Sequence, residues 1–277
     1  IPPSINLIVY GFLTETSIPK LFMAGLVPGL GLAALFMLAS LLLCVWKPSL
    51  GGPRQSASWS TRIKSLSFLL PLLVLFIVIV GSIYLGWATP TEAAAIGVLA
   101  SLGLAAINRS LNLSMISRAL DGTVKTTSMI LFIIMAASFL NFALASSGMV
   151  QQVTGLLEAY DLGPFALLMA VIALFIVLGF FIETLSLMVI TIPIVTPLIA
   201  AAGYDKVWFG IVMILFVELA LITPPVGLNL YIVQASRRGE AFADVIIGTL
   251  PYLGAMLVMA ALLVAFPQIA LWLPSAL

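Results

Sequence analysis

The stretch Thr223-Pro224-Pro225-Val226-Gly227-Leu228-Asn229-Leu230-Tyr231 decides how this chain folds. It sits inside an apolar run, Val207 to Gln234, that is long enough to cross a bilayer, which takes about 20 helical residues. A proline pair followed by glycine cannot stay in an unbroken helix. Each proline lacks a donor, and its ring clashes with the preceding turn. The run therefore reads as one crossing with an unwound middle. Without water, unwound backbone survives only where protein or a lined cavity surrounds it. The segment predicts a polar site at membrane depth.

A second interruption lies upstream. The apolar run Phe165–Ile199 is too long for one crossing and is broken midway by Gly179-Phe180-Phe181-Ile182-Glu183-Thr184. Two helices, each somewhat short of the roughly 20 residues of a crossing and meeting at such a break, read as a re-entrant hairpin. Further apolar segments lie at Pro3–Leu13 (a half-span), Leu21–Trp46, Leu66–Gly86, Glu92–Ile107, Ser128–Ala145 and Val245–Trp272. Composition agrees with a lipid environment. Of 277 residues 63% are hydrophobic and 8% charged, with a mean hydropathy of +1.27, whereas soluble domains are nearer half apolar and a quarter charged. There is no histidine and a single cysteine, Cys44. An internal disulfide is thereby excluded, and a zinc or haem site has almost no ligands to draw on. A net charge of +1 gives no reason to expect a nucleic-acid partner.

Basic residues orient the chain. If the Lys47–Lys64 island is cytoplasmic, the inside receives Lys47, Arg54, Arg62, Lys64, Arg109, Arg118, Lys125, Arg237 and Arg238, and the outside only Lys20 and Lys206. This positive-inside bias requires Phe165–Ile199 to enter and leave on the outer face. A single crossing there would put Arg237 and Arg238 outside. The stretch Leu113–Val124 sets Leu113, Ile116, Leu120 and Val124 on one helical face, and reads as an in-plane amphipathic helix or as a loop helix covering a neighbour.

The chain also repeats itself. Pro2-Pro3-Ser4-Ile5-Asn6 near the start matches Pro224-Pro225 followed by Asn229, each leading into an apolar half-helix. Pro28 then lies 25 residues after Pro3, and Pro251 26 after Pro225. By the topology above the copies run in opposite senses, as in transporters built from inverted halves with a midplane site. The expected fold is an all-α polytopic membrane protein, an inverted-repeat secondary transporter with a re-entrant hairpin and discontinuous helices. Residues 1–46 close the first repeat with the second half of a broken helix and one span. Residues 47–126 hold a cytoplasmic loop, two spans and the amphipathic linker. Residues 127–277 form the second repeat, with hairpin 164–201 and broken helix 206–236. The second copy has about 100 residues of membrane structure before its proline pair and the first has one residue, so the sequence reads as N-terminally incomplete, a fragment.

Candidate chemistry gathers at the breaks. Only Glu183 and Glu218 lie well inside apolar stretches, where an ionised group costs about 2.5–3.5 kcal/mol and is usually functional or paired. Glu183 reads either as lining an ion or substrate site or as a cap on the second hairpin helix. Glu218 reads more readily as a neutral or hydrogen-bonded packing acid. Unwound carbonyls suit a hard cation such as Na⁺, and helix N-termini near Thr184 and Pro224 suit a carboxylate. The candidate ion site is Gly179, Glu183, Thr184, Ser186, Thr223, Pro224 and Gly227. The candidate substrate site is Ser4, Asn6, Thr184 and Asn229. Two kinks satisfied by neighbouring helices are the alternative. Asn141, Ser138, Ser146 and Ser147 read as interhelical hydrogen bonders.

Ile1-Pro2-Pro3-Ser4 with Ile8-Val9-Tyr10-Gly11, and Thr223-Pro224-Pro225-Val226-Gly227-Leu228-Asn229-Leu230-Tyr231, resemble the large permease (DctM-type) subunit of tripartite ATP-independent periplasmic (TRAP) transporters. Gly203-Tyr204-Asp205, Pro193 and Pro197 are similar to that family as well. The resemblance covers essentially the whole chain and departs from the family in lacking roughly the N-terminal third of a member. It implies an ion-transporter-like elevator fold in a bacterial inner membrane. It also implies Na⁺-driven symport of an organic acid (C4-dicarboxylate, sialic acid or another sugar acid), a small membrane partner subunit and a periplasmic substrate-binding protein, with no cofactor beyond the coupling ion. One family Na⁺ site carries over to Gly179–Ser186 with Thr223–Gly227; the other would need a hairpin beside Pro2–Asn6. A structural or channel-forming subunit is the alternative. An intramembrane hydrolase using Glu183 and Glu218 is a further one, with no histidine and no metal ligands to support it.

The topology makes a direct prediction. On a Cys44→Ala background, cysteines at Asp161 and Lys206 should react with an impermeant thiol reagent in intact cells, and cysteines at Arg118 and Arg237 should not. Labelling of position 206 from the inside alone rejects the hairpin.

Overall fold

The computed structural model describes residues 2–51, 56, 58–148, 152, 155, 163–224, 227–237 and 241–276. Asp161, Arg54, Arg238, Pro225 and Val226, named above, lie outside the described residues. Twelve α-helices occur among those described: α1 (Ile5–Thr14), α2 (Ile18–Trp46), α3 (Trp59–Ser67), α4 (Leu70–Tyr84), α5 (Pro90–Ile107), α6 (Leu113–Ser147), α7 (Pro164–Gly179), α8 (Thr184–Ala201), α9 (Lys206–Leu221), α10 (Leu228–Ser236), α11 (Phe242–Ala265) and α12 (Gln268–Ala276). By length and composition five of them, α2, α5, α6, α8 and α11, can cross a membrane, and the bent pair α3–α4 makes a sixth candidate. The protein is all-helical among the described residues and polytopic.

Local chemistry sets the helix ends. Thr89 and Glu92 form a reciprocal capping box at the start of α5, with Thr89 N–H donating to Glu92 Oε2 at 2.7 Å and Glu92 N–H to Thr89 Oγ1 at 3.3 Å. Asp205 caps α9 by accepting from the N–H groups of Val207 and Trp208 at 2.7 and 3.0 Å. Asn112 Oδ1 accepts from Met115 N–H at 2.8 Å where α6 begins.

Three boundaries differ from the sequence reading. The amphipathic stretch and the span after it form one continuous helix, α6, because no proline or glycine pair separates Val124 from Ser128. The span expected from Leu66 begins only at Leu70, after a 48° bend from α3. The span expected to end at Trp272 ends at Ala265, and Pro267 separates it from α12.

The chain divides into two compact units, Ile1–Leu42 with Phe132–Leu277, and Leu43–Leu131. In the second unit α4 and α5 pack together as an antiparallel pair joined by a short turn. In the first, α9 is the core. Trp208, Phe209, Val212, Met213, Val217 and Ala220 are all buried, on every side of the helix, as expected of a helix apolar all round. Helix α7 runs alongside α9 in the same sense, Phe175 near Phe209 and Gly179 against Ala220. Helix α8 packs on both of them and returns in the opposite sense, so α7 and α8 form a hairpin. Helix α1 runs antiparallel to α9, with Asn6 beside Glu218 and Tyr10 beside Gly210 and Lys206.

Tyr10 fixes that last pairing. Its fully buried ring lies on Gly210, where an added Cβ would come within 2.5 Å of Cε1, and its hydroxyl donates to Lys206 O at 2.7 Å. Gly210→Ala should therefore destabilise the protein by about 1–3 kcal/mol, the usual cost of overpacking. Thermal unfolding of the purified full-length protein measures it, and an unchanged midpoint would contradict this packing.

Candidate functional site

The two interruptions meet. Gly179 ends α7 at the hairpin tip, and a Cβ placed on it would lie 2.6 Å from Ala220 Cβ and 3.9 Å from Val217 O. A glycine is required for this approach of tip to helix. Ala220 lies one turn before the break, with Thr223 N–H donating to its carbonyl at 3.1 Å. Thr223 Oγ1 donates to Leu219 O at 2.6 Å, a second bond to a carbonyl that Ile222 N–H also reaches at 3.2 Å as α9 ends. Gly227 resumes the chain with φ +47, a left-handed conformation that disfavours a side chain, and its ideal Cβ position is 3.0 Å from Thr223 O. The break is thus tight, folded back on Thr223.

Glu183 takes the capping role. It is the N-cap of α8, and its carboxylate accepts from Leu185 N–H at 3.0 Å and Ser186 N–H at 3.2 Å. The anion-binding donors expected at the start of α8 are therefore already engaged by the chain's own carboxylate. Thr184 beside it is buried, whereas Ser186 is exposed. Helix α10 starts at Leu228, four residues beyond the start expected near Pro224, and Gly227 offers it no side-chain cap. Asn229 lies half-buried in its first turn.

At the tip, no backbone N–H closes on the carbonyls of Phe180 or Phe181 among the described residues. Together with the lone pairs of Thr223 Oγ1, these are neutral hard-oxygen donors of the kind an alkali cation takes.

The sequence singled out both Asn6 and Glu218 without pairing them. Asn6 Nδ2 donates to Glu218 Oε1 at 3.2 Å, joining the N-terminal turn of α1 to the last turns of α9. Antiparallel α1 and α9, implied by the opposed repeats, was the signal that could have found this pair. Beside it lies a cavity of about 150 Å³ between α1, α2, α9 and α11. Ser4 and Glu218 supply its polar groups; Leu7, Pro28, Ile214 and Met259 are among its apolar lining. Thr184 and Asn229 are not among the residues that line it. Helix α9 thus presents Ile211, Ile214, Leu215 and Glu218 to the cavity and Val217 and Ala220 to the hairpin tip. A drug-sized site needs about 300 Å³ or more, so this cavity suits water or a small ion, not a sugar acid.

The family model described as "Tripartite ATP-independent periplasmic transporter, DctM component" matches residues 1–269. The chain belongs to that family. The DctM family comprises transporter permease components and not enzymes, which disposes of the hydrolase alternative. Curated relatives include the sialic acid TRAP transporter large permease protein of Vibrio cholerae, 34% identical over 277 residues. The C4-dicarboxylate TRAP transporter large permease protein of Pseudomonas aeruginosa is 35% identical over 277 residues. Each of those two alignments covers 99% of this chain and 64% of the relative. The ectoine TRAP transporter large permease protein of Halomonas elongata is 32% identical over 275 residues, again 99% of this chain and 64% of the relative. The chain thus spans somewhat under two thirds of the length of these DctM-family relatives.

The Asn6–Glu218 bond can be weighed by a double-mutant cycle with Asn6→Ala and Glu218→Met, which has no Oε1 acceptor. A coupling of about 0.5–1.5 kcal/mol is expected in chemical unfolding of the purified full-length protein. Strict additivity would mean the two side chains do not interact.

Proposed function

We propose that this chain is the greater part of the large permease subunit of a Na⁺-coupled secondary transporter. It takes up organic acids handed over by a periplasmic binding protein, beside a small membrane subunit in a bacterial inner membrane. The observation that carries this reading is the seating of the hairpin tip on the broken helix, Gly179 against Ala220. Two backbone interruptions in separate apolar helices have no structural need to coincide. Side by side, they pool unpaired oxygens that one cation can satisfy together.

Na⁺ sits, on this reading, among the tip carbonyls, Thr184, Thr223, Pro224 and Gly227, with the Glu183 charge close by. Hairpin closure is then linked to the ion gradient, because removing the ion leaves the tip carbonyls without their partner. Ser4, Asn6, Thr184 and Asn229 are the proposed substrate contacts, in a substrate-loaded arrangement wider than the cavity of about 150 Å³ that Ser4 and Glu218 line here. With the α8 donors taken by Glu183, the free N–H groups opening α1 and α10 are the better places for a substrate carboxylate. The tight packing of α1, α7, α8 and α9 suits an element that moves as one body, as an elevator mechanism requires. The named substrates of the relatives (sialic acid, C4-dicarboxylates and ectoine) all carry a carboxylate and set the candidates to test.

The full-length subunit, reconstituted in liposomes with its small subunit and binding protein, should accumulate one of these substrates under an inward Na⁺ gradient. Thr223→Ala should weaken apparent Na⁺ affinity on the order of tenfold, about 1.4 kcal/mol for one lost ligand, at unchanged abundance. Gly179→Val should remove uptake by lifting the tip off Ala220. Equal uptake with choline in place of Na⁺, or unchanged Na⁺ activation in Thr223→Ala, defeats the proposal.

A further inference from the structure

Within the unit Leu43–Leu131, helices α4 and α5 leave an open groove of about 370 Å³ along their shared face. Leu70, Val74 and Val78 line it from α4, and Ala100, Gly103 and Ile107 from α5. Its surface is almost wholly apolar, and an ideal Cβ on Gly103 would meet nothing within 4 Å. From Leu70 to Val78 the groove runs about 12 Å at the helical rise of about 1.5 Å per residue. One leaflet of a roughly 30 Å hydrocarbon core is about 15 Å deep. The groove has the length of one leaflet.

The chain segments that adjoin its Leu70–Ile107 end each carry a cation. Helix α3 leads into α4 at the Leu70 end and carries Lys64 in its last turn. Arg109 follows the Ile107 end of α5 by two residues, with φ +54. Neither cation forms a salt bridge among the described residues, and the acid of α5, Glu92, lies in its first turn at the far end. Trp59, Ile63 and Leu66 form an exposed apolar stripe on α3, with the Arg62 guanidinium 5.0 Å from the Trp59 ring centroid. An amphipathic helix with tryptophan and basic residues is the composition of a segment lying at the lipid headgroups.

We propose that this groove holds an acyl chain of an anionic phospholipid, whose phosphate is met by Lys64 and Arg109. An apolar partner helix would fill more than one leaflet and has no use for two unpaired cations at its end. A zwitterionic lipid fits the groove but gains little from the two cations at that end, so binding is selective for anionic headgroups. This inference does not depend on the transport reading.

The test uses the full-length protein purified with its membrane partner, probed by native mass spectrometry with added phosphatidylglycerol or phosphatidylcholine. Retained adducts of phosphatidylglycerol over phosphatidylcholine are expected. Lys64→Gln and Arg109→Gln should each lower phosphatidylglycerol occupancy roughly fivefold and leave phosphatidylcholine unchanged. Gly103→Leu, which fills the groove, should lower both. Equal retention of the two lipids, indifference of phosphatidylglycerol to both charge variants, or a cysteine at position 103 that crosslinks efficiently to the partner subunit would each overturn it.

Discussion

Helix α9 stops at Leu221 inside apolar surroundings, and the orphan carbonyls of its last turn constrain everything around it. A helix end leaves up to four carbonyls without partners, and a lipid environment supplies no water to take them. The chain answers locally first. Thr223 returns its hydroxyl to Leu219 O and its N–H to Ala220 O, while Ile222 N–H closes on Leu219 O. Gly227 then turns through a left-handed conformation so that α10 can start close to where α9 stopped. The hairpin tip is laid over this junction, with Gly179 small enough to touch Ala220. Each of these residues answers the cost of ending a helix inside an apolar run.

The two membrane-depth acids show two solutions to the same problem. Glu183 uses its carboxylate on the open N–H groups of α8, so charge and helix end neutralise one another. Glu218 lies in the last turn of α9, where no open backbone N–H is available to it, and must look outside its own segment. It finds Asn6, whose amide donates to it from the first turn of α1. One acid is settled by local geometry and the other by tertiary structure, and this decides how visible each was in advance.

That difference explains what the amino-acid pattern could reveal. Helix breaks at Gly179–Thr184 and Thr223–Gly227 were legible because proline, glycine and an ionisable residue interrupt runs of otherwise uniform apolarity. Tyr10 on Gly210 was not, since a tyrosine and a glycine in separate apolar helices carry no mark of being neighbours. The bend between α3 and α4 was marked only by Pro71, which cannot donate to Ser67 O, and the apolar run from Leu66 to Gly86 passes over it. The continuity of α6 was hidden by its change in composition, polar before Ser128 and apolar after it, which suggested two elements where the backbone makes one. Within the candidate site, the two interruptions were readable, and the structure seats Gly179 on Ala220. A cap by Glu183 was one of the two readings its position offered, and which of them holds depended on a rotamer that residue types do not specify.

The arrangement has a mechanical consequence that rests on α9 alone. Ala220 touches the hairpin tip and Glu218, two residues earlier, faces the cavity and holds Asn6. Leu219 between them and Val217 just before Glu218 are buried, and a close-packed helix transmits displacement with little internal give. A shift of the tip large enough to part Gly179 from Ala220 therefore acts on the same helical turn that carries the Asn6 bond. In the other direction, α1 is tied to α9 at two heights, by Asn6 near its start and by Tyr10 a turn later. A rotation of α1 about one tie strains the other, so the pair resists sliding and moves together. A displacement of the tip is thus felt at the cavity through one rigid helix, without any contact between the two.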